Sequence, residues 1–293
     1  MKYNLINNVA KLSDDHTSII FNDEFNDSIK PYSLPESLTT LTFGFYFRQK
    51  IKPNRLSDSL TTLTFGSNFD RKIEPNILPK NLTNLTFGYY FNQKIEPNIL
   101  PENLTTLTFR FCFAQKIELN ILPELLKTFN FGYCFNQKIV PNTLPKYLTY
   151  LAFTNFNQKI VPNTLSNLLT SLDLGDSFDQ KIEPNTLPNS LTSLKFEYEF
   201  NQKIEPNSLP ELLTTLIFGY KFNQIIDLKI LPSNLKYIEF DWINFNKHDI
   251  IKQYIEIVNN IPGYCDVKIF LSENIIGVDP KWPIHVYEYD ENQ

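Results

Sequence analysis

Apolar positions along this chain recur on two periods at once. The long period is 22 residues: the segment Phe-Asn-Gln-Lys-Ile, or a close variant, restarts at Phe25, Phe47, Phe69, Phe91, Phe113, Phe135, Phe156, Phe178, Phe200 and Phe222, with one step of 21 between Phe135 and Phe156. The short period is two. In the unit from Phe91 to Cys112, Leu107 and Phe109 alternate with Thr106 and Thr108, the pattern of a strand with one buried face. Phe91, Ile95, Leu100 and Leu104 complete a set of six side chains aimed at one axis. Pro97 and Pro101 bracket a corner, where fixed φ and missing N–H groups keep the chain out of a helix. Six buried side chains do not offset the entropy of ordering 22 residues, so one unit cannot fold alone and must stack on its neighbours.

The pattern therefore predicts a mainly β solenoid of about eleven 22-residue turns. Residues 1–24 read as an N-terminal capping repeat, with Tyr3-Asn4 in the Phe-Asn place and Ile19 and Phe21 on strand positions. Residues 25–245 are the repeat array. Residues 246–293 read as a small α+β cap. Asn246 caps a helix from about His248 to Asn259, which Ile261-Pro262-Gly263 ends, and two strands follow at Asp266–Leu271 and Ile284–Tyr289. A cover is expected because an open solenoid end exposes core and unpaired strand; a small partner-binding domain is the other reading of this segment.

Leu104, Leu107 and Phe109 are spaced L-x-x-L-x-F, as in the strand of a leucine-rich repeat, and the full unit F-N-x-x-I-x-P resembles the FNIP repeat of social amoebae and of giant viruses that infect amoebae. The resemblance covers residues 25–245 and implies a leucine-rich-repeat-like fold. Members often join the repeats to an N-terminal F-box, which implies substrate recognition for a ubiquitin ligase. Here the residues before Phe25 read as a cap, about half of what an F-box needs.

Composition adds exclusions. The chain has 293 residues, 42% of them hydrophobic, which suits a folded protein, and no apolar run near the ~18–20 residues of a membrane helix. The N-terminus lacks the pattern of a secretory signal and only three cysteines are present, so the expected setting is intracellular, in the cytoplasm, with reduced thiols and no membrane. Net charge is −5, and residues 246–293, with four basic and eight acidic side chains, carry −4 of it. A column of lysines (Lys50, Lys72, Lys94, Lys116, Lys138, Lys159, Lys181, Lys203) invites a phosphate-binding reading, but Glu74, Glu96, Glu118, Glu183 and Glu205 lie two residues past the column. A self-neutralising face is expected, and no nucleic acid. Asn54, Asn76, Asn98, Asn120, Asn142, Asn163, Asn185 and Asn207 fill the Pro-Asn corner, where the amide is expected to satisfy backbone groups.

Catalytic chemistry is not indicated. His16, His248 and His285 form no metal or triad spacing, and no phosphate loop is present, so no cofactor, no metal and no enzyme are expected. Cys112 and Cys134 hold equivalent places on adjacent turns, compatible with a free pair, a disulfide or a two-thiol site. Asp173, Glu197, Glu239 and Asp241 gather on the outer strand face and read as a solvated or partner-facing surface.

Surface recognition remains. Two residues past the last inward Phe of each strand stand Phe45, Tyr89, Phe111, Tyr133, Tyr198, Tyr220 and Trp242, residue types that dominate binding hot spots. The competing reading is that these rings stack on one another and hold the turns together. Arg110, Lys195 and Arg48 break the repeat and are specificity candidates. The candidate partner-binding set is Tyr89, Arg110, Phe111, Tyr133, Lys195, Tyr198, Tyr220 and Trp242, presented to an unknown protein partner by a non-catalytic module. The alternative is a ubiquitin-ligase adaptor or decoy without its own F-box, with ligase components as partners. A remote third reading is ice binding by Thr40-Leu41-Thr42, Thr62-Leu63-Thr64 and Thr106-Leu107-Thr108, an array that β propensity explains more simply.

Overall fold

A computed structural model describes residues 10–224, 226–243, 266–271 and 285–288. They belong to two compact units, Met1–Phe153 and Thr154–Gln293. The boundary coincides with the single 21-residue step, where two residues rather than three separate Phe153 from Phe156.

In the first unit, β1 (Ala10–Leu12) pairs antiparallel with β2 (Ser18–Phe21). Six parallel strands of three residues each then add in register: β3 (Thr40–Thr42), β4 (Thr62–Thr64), β5 (Asn84–Thr86), β6 (Thr106–Thr108), β7 (Thr128–Asn130) and β8 (Tyr150–Ala152). The second unit continues the repeat with β9 (Ser171–Asp173), β10 (Ser193–Lys195), β11 (Thr215–Phe218) and β12 (Tyr237–Ile243). A 3-10 turn at Leu228–Ile230 precedes β12. Then β13 (Asp266–Leu271) and β14 (His285–Glu288) add to the same edge, also parallel. These match the two strands expected from the sequence. The helix expected from about His248 to Asn259 lies outside the described residues, as does the Tyr3-Asn4 match. Both units are mainly β, and the fold class read from the repeat is the one observed.

The six apolar residues of the Phe91 unit are all buried, and Ile99 joins them as a seventh. The core is organised around two columns of phenylalanine. One holds the strand-end rings (Phe43, Phe65, Phe87, Phe109), the other the repeat-start rings (Phe47, Phe69, Phe91, Phe113). Within a turn the two rings lie face to face, with centroids 3.9 Å apart for Phe43–Phe47 and 3.7 Å for Phe109–Phe113. Along each column the next ring is 5.2–6.2 Å away, as in Phe87–Phe109 and Phe69–Phe91. Stacked rings add to their area burial, and repetition multiplies the gain.

Polar positions of the repeat bond one turn to the next. The Thr39 hydroxyl donates to the Thr17 carbonyl (3.1 Å), Thr61 to Thr39 (3.2 Å), Thr83 to Thr61 (3.1 Å) and Thr105 to Thr83 (3.2 Å). The Asn of Phe-Asn-Gln accepts at Oδ1 from the backbone N–H of its counterpart one turn on and from the following Gln side chain. Asn92 does so for Ala114 N–H (3.0 Å) and Gln115 Nε2 (3.1 Å), and Asn201 for Asn223 N–H (3.0 Å) and Gln224 Nε2 (3.0 Å). The Pro-x-x-Leu step closes a turn, with Leu82 N–H donating to Pro79 C=O at 3.1 Å and Leu104 to Pro101 at 3.1 Å.

The corner asparagines have a different reason from the one expected. All eight, from Asn54 to Asn207, adopt left-handed backbone with φ between 59 and 67°. Asn tolerates that region better than other residues bearing a Cβ. The requirement is therefore the backbone conformation. The glycines that follow five of the strands (Gly44, Gly66, Gly88, Gly132 and Gly219) meet a steric demand instead: a Cβ on Gly66 would sit 1.8 Å from the Gly44 carbonyl oxygen.

Candidate interaction surface

The rim position two residues past the inward Phe is where the sequence placed its aromatic column. In the first unit Tyr89, Phe111 and Tyr133 form a continuous stack, with centroids 4.4 and 4.7 Å apart and planes within 7° of parallel. In the second unit Tyr198 and Tyr220 stack at 4.8 Å. These rings hold neighbouring turns together, yet they keep an accessible edge. Tyr89 is 38% exposed, Tyr133 41% and Tyr198 46%, whereas Phe111 and Tyr220, each covered by a neighbour, are less exposed. The stacking reading of the column therefore applies, and the same side chains keep exposed edges. Trp242 lies on β12 at the next rim position, with its side chain outside the described set. The column breaks at Ser67 and again where Thr154-Asn155 follows Phe153 in the shortened turn.

A second ring row went unnoticed in the sequence. Tyr46 and Tyr90 follow Phe45 and Tyr89 directly and meet them edge-on, with centroids 4.8 and 4.9 Å apart. Both are nearly half exposed. Their signal was adjacency to the column, since the residue after a turn-tip aromatic shares its rim. The same row continues as Cys112 and Cys134, which are free thiols. Partial burial first, then Cys134 beside it, pushes the Cys112 thiol up. Burial likewise raises the Tyr89 phenol, with Cys112, Tyr90 and Cys134 adding to it.

Arg110 replaces the post-strand glycine and is exposed. After Gly44, Gly66, Gly88, Gly132 and Gly219 the turn is closed by a backbone bond from the Phe three residues on, for example Phe69 N–H to Gly66 C=O at 3.1 Å. At Arg110 the chain instead bends through Phe111 and Cys112, and the Arg110 carbonyl receives the Tyr133 N–H at 3.1 Å. Arg110 is thus the sequence neighbour of Phe111, the middle ring of the Tyr89–Phe111–Tyr133 stack. Arg48 takes the Asn place of the inter-turn ladder and has no acceptor to offer Asp70.

Lys195 is less free than its sequence position suggested. It pairs with Glu197, and its strand partner in register is Asp173. Burial works against its charge, but the Glu197 hydrogen bond and the charges of Glu197, Asp173 and Glu239 outweigh that and raise its pKa. Asp173 is itself held above the ordinary carboxylate range, first by burial, with Glu197 and Asp176 adding to the effect. The acidic cluster is thus built around a lysine. Lysines of the long column meet glutamates of the same or the next turn, as in Lys50–Glu74 at 3.3 Å, Lys116–Glu118 at 3.0 Å and Lys159–Glu183 at 3.5 Å. Exposed pairs of this kind contribute little energy each but neutralise the face. Among the described residues no group of three or more His, Cys, Asp and Glu could hold a metal ion, and no helix is long and apolar enough to cross a membrane.

The repeat geometry agrees with a known family. The FNIP Repeat pattern matches residues 12–46, 47–90, 69–112, 113–155, 156–199 and 200–241, together an unbroken stretch of most of the chain. The chain belongs to the FNIP repeat family. The FNIP matches take in β2, which the sequence had read as part of a capping repeat. A solved structure is similar as well, that of the giant-virus protein CroV588, titled a novel circular LRR protein structure, with a TM-score of 0.74 and 39% identity over 87% of this chain. This FNIP chain covers only 40% of CroV588, so it spans well under half of that protein. No curated protein matches the chain.

Proposed function

We propose that this FNIP chain is a non-catalytic protein-interaction module that engages a protein partner through its aromatic rim. The observation that carries the reading is the Tyr89–Phe111–Tyr133 stack, ordered by ring contacts at 4.4 and 4.7 Å yet open at its edge, with Arg110 alongside. Tyr and Arg dominate interface energetics because they bring large contact area and fixed hydrogen-bond geometry at low entropic cost. A leucine-rich-repeat-like scaffold of this kind is typically non-catalytic and supports the same reading.

The test is proximity labelling in amoebal cells with the tagged chain beside a variant carrying Tyr133→Ala and Tyr220→Ala. Loss of one defined protein from the variant supports the rim as the working surface. An unchanged set of labelled proteins removes it. Ubiquitin-ligase subunits labelled by both chains would favour the adaptor reading instead.

A further inference from the structure

We propose that the first two full turns carry a binding site for a phosphate group, separate from the aromatic rim. A cavity of about 500 Å³ opens there, walled by Phe21, Phe25 and Ile29 and lined by Ser28, Lys30, Lys52 and Arg55. That volume falls in the range of small-molecule sites.

The departures from the repeat converge on this cavity. Lys52 occupies the place held by Glu74, Glu96, Glu118, Glu183 and Glu205 in other turns, and Lys30 holds the same place one turn earlier. Arg55 occupies the column that is buried Ile77, Ile99 and Ile121 in the next turns. Elsewhere the glutamates of this column receive lysines; here two of them are inverted to cations. Among the described residues no ion pair involves Lys30, Lys52 or Arg55. The Arg55 Nε is shut off from solvent with no hydrogen-bond acceptor.

A half-buried guanidinium with an unmet donor is costly unless an anion accompanies it. Lys50 also lines the cavity but is committed to Glu74 at 3.3 Å. Asp27 is the one carboxylate in the lining. Glu36 and Asp58 line a neighbouring cavity that Arg55 also borders, and neither pairs with it. Three unpaired cations against one carboxylate leave an excess of two positive charges, which a phosphate dianion matches better than a single carboxylate. The Ser28 hydroxyl, standing where other turns carry Lys, adds a neutral donor to the lining.

The experiment is calorimetric titration of the full chain, at constant ionic strength, with inorganic phosphate, pyrophosphate and acetate. Arg55→Ile and Lys52→Glu restore the residue types of later turns, so both are expected to fold, as checked by circular dichroism. Saturable one-site binding of phosphate and pyrophosphate, weakened about tenfold or more in each variant, is the expected result. Absence of saturable phosphate binding, equal binding by the variants, or acetate binding as tight as phosphate each overturns the proposal.

Discussion

At the scale of single residues, most letters of the repeat answer to one physical demand each. Gly66 is fixed by the carbonyl of the turn below it, 1.8 Å from where a Cβ would stand. Gly66→Ala is therefore expected to lower stability by about 1–3 kcal/mol, read from the urea midpoint, because the backbone of one turn must shift. Asp173 offers a test with a sign. Its folded-state pKa is raised, chiefly by burial, so the folded protein bears a penalty above that pKa and loses it as pH falls through it. Asp173→Asn keeps an oxygen for the Gly175 N–H, which now donates to Asp173 at 3.0 Å. The variant is expected to be more stable than the parent at neutral pH, with the gain vanishing below about 3.8, the carboxylate's ordinary value. Thermal melts at several pH values check both limbs.

Three-residue strands such as Thr106–Thr108 are short elements, and the inter-turn polar ladders lengthen their grip. The Asn-Gln ladder is legible once its geometry is known: Asn26, Asp70, Asn92, Asn157, Asp179 and Asn201 each supply an Oδ1 acceptor to the following turn. Arg48 breaks it. Arg48→Asn is expected to stabilise the first unit by about 0.5–1.5 kcal/mol, since it restores an acceptor for the Asp70 N–H. Asn201→Ala is expected to cost a similar amount in the second unit by orphaning Asn223 N–H and leaving Gln224 Nε2 with Asn223 Oδ1 alone as acceptor. Denaturant titration of both variants tests the ladder from opposite directions. An unchanged midpoint for both would show that it carries no stability.

At the scale of the whole molecule, the repeat makes stability a property of neighbouring turns. Deleting residues 91–112, one complete unit, joins Tyr90 to Phe113 and restores the same sequence phase. The shortened chain is expected to stay folded, with a urea m-value reduced in proportion to the area lost. Deleting an equal length from a different starting point, residue 98 to residue 119, joins Pro97 to Asn120 and also preserves the unit, so it serves as a matched control. Removing eleven residues instead is expected to cost far more stability and to uncouple the turns on either side, because the half-length turn left at the junction cannot present the full inward set to its neighbours.

The sequence by itself determined the turn, its period and its buried face, because a 22-residue repeat writes the same local constraint many times. It also exposed the aromatic column, since period two fixes which side of a strand each residue takes. What it withheld depends on how turns meet. Only the stacked structure shows that the Phe columns lie face to face, that the corner Asn is wanted for its left-handed backbone, and that Lys195 is bound into an acidic cluster. Likewise, the charge inversions at Lys30 and Lys52 look like ordinary variation along the chain. Parallel stacking sets residues 22 positions apart side by side, and that contact alone gathers them with Arg55 around one cavity.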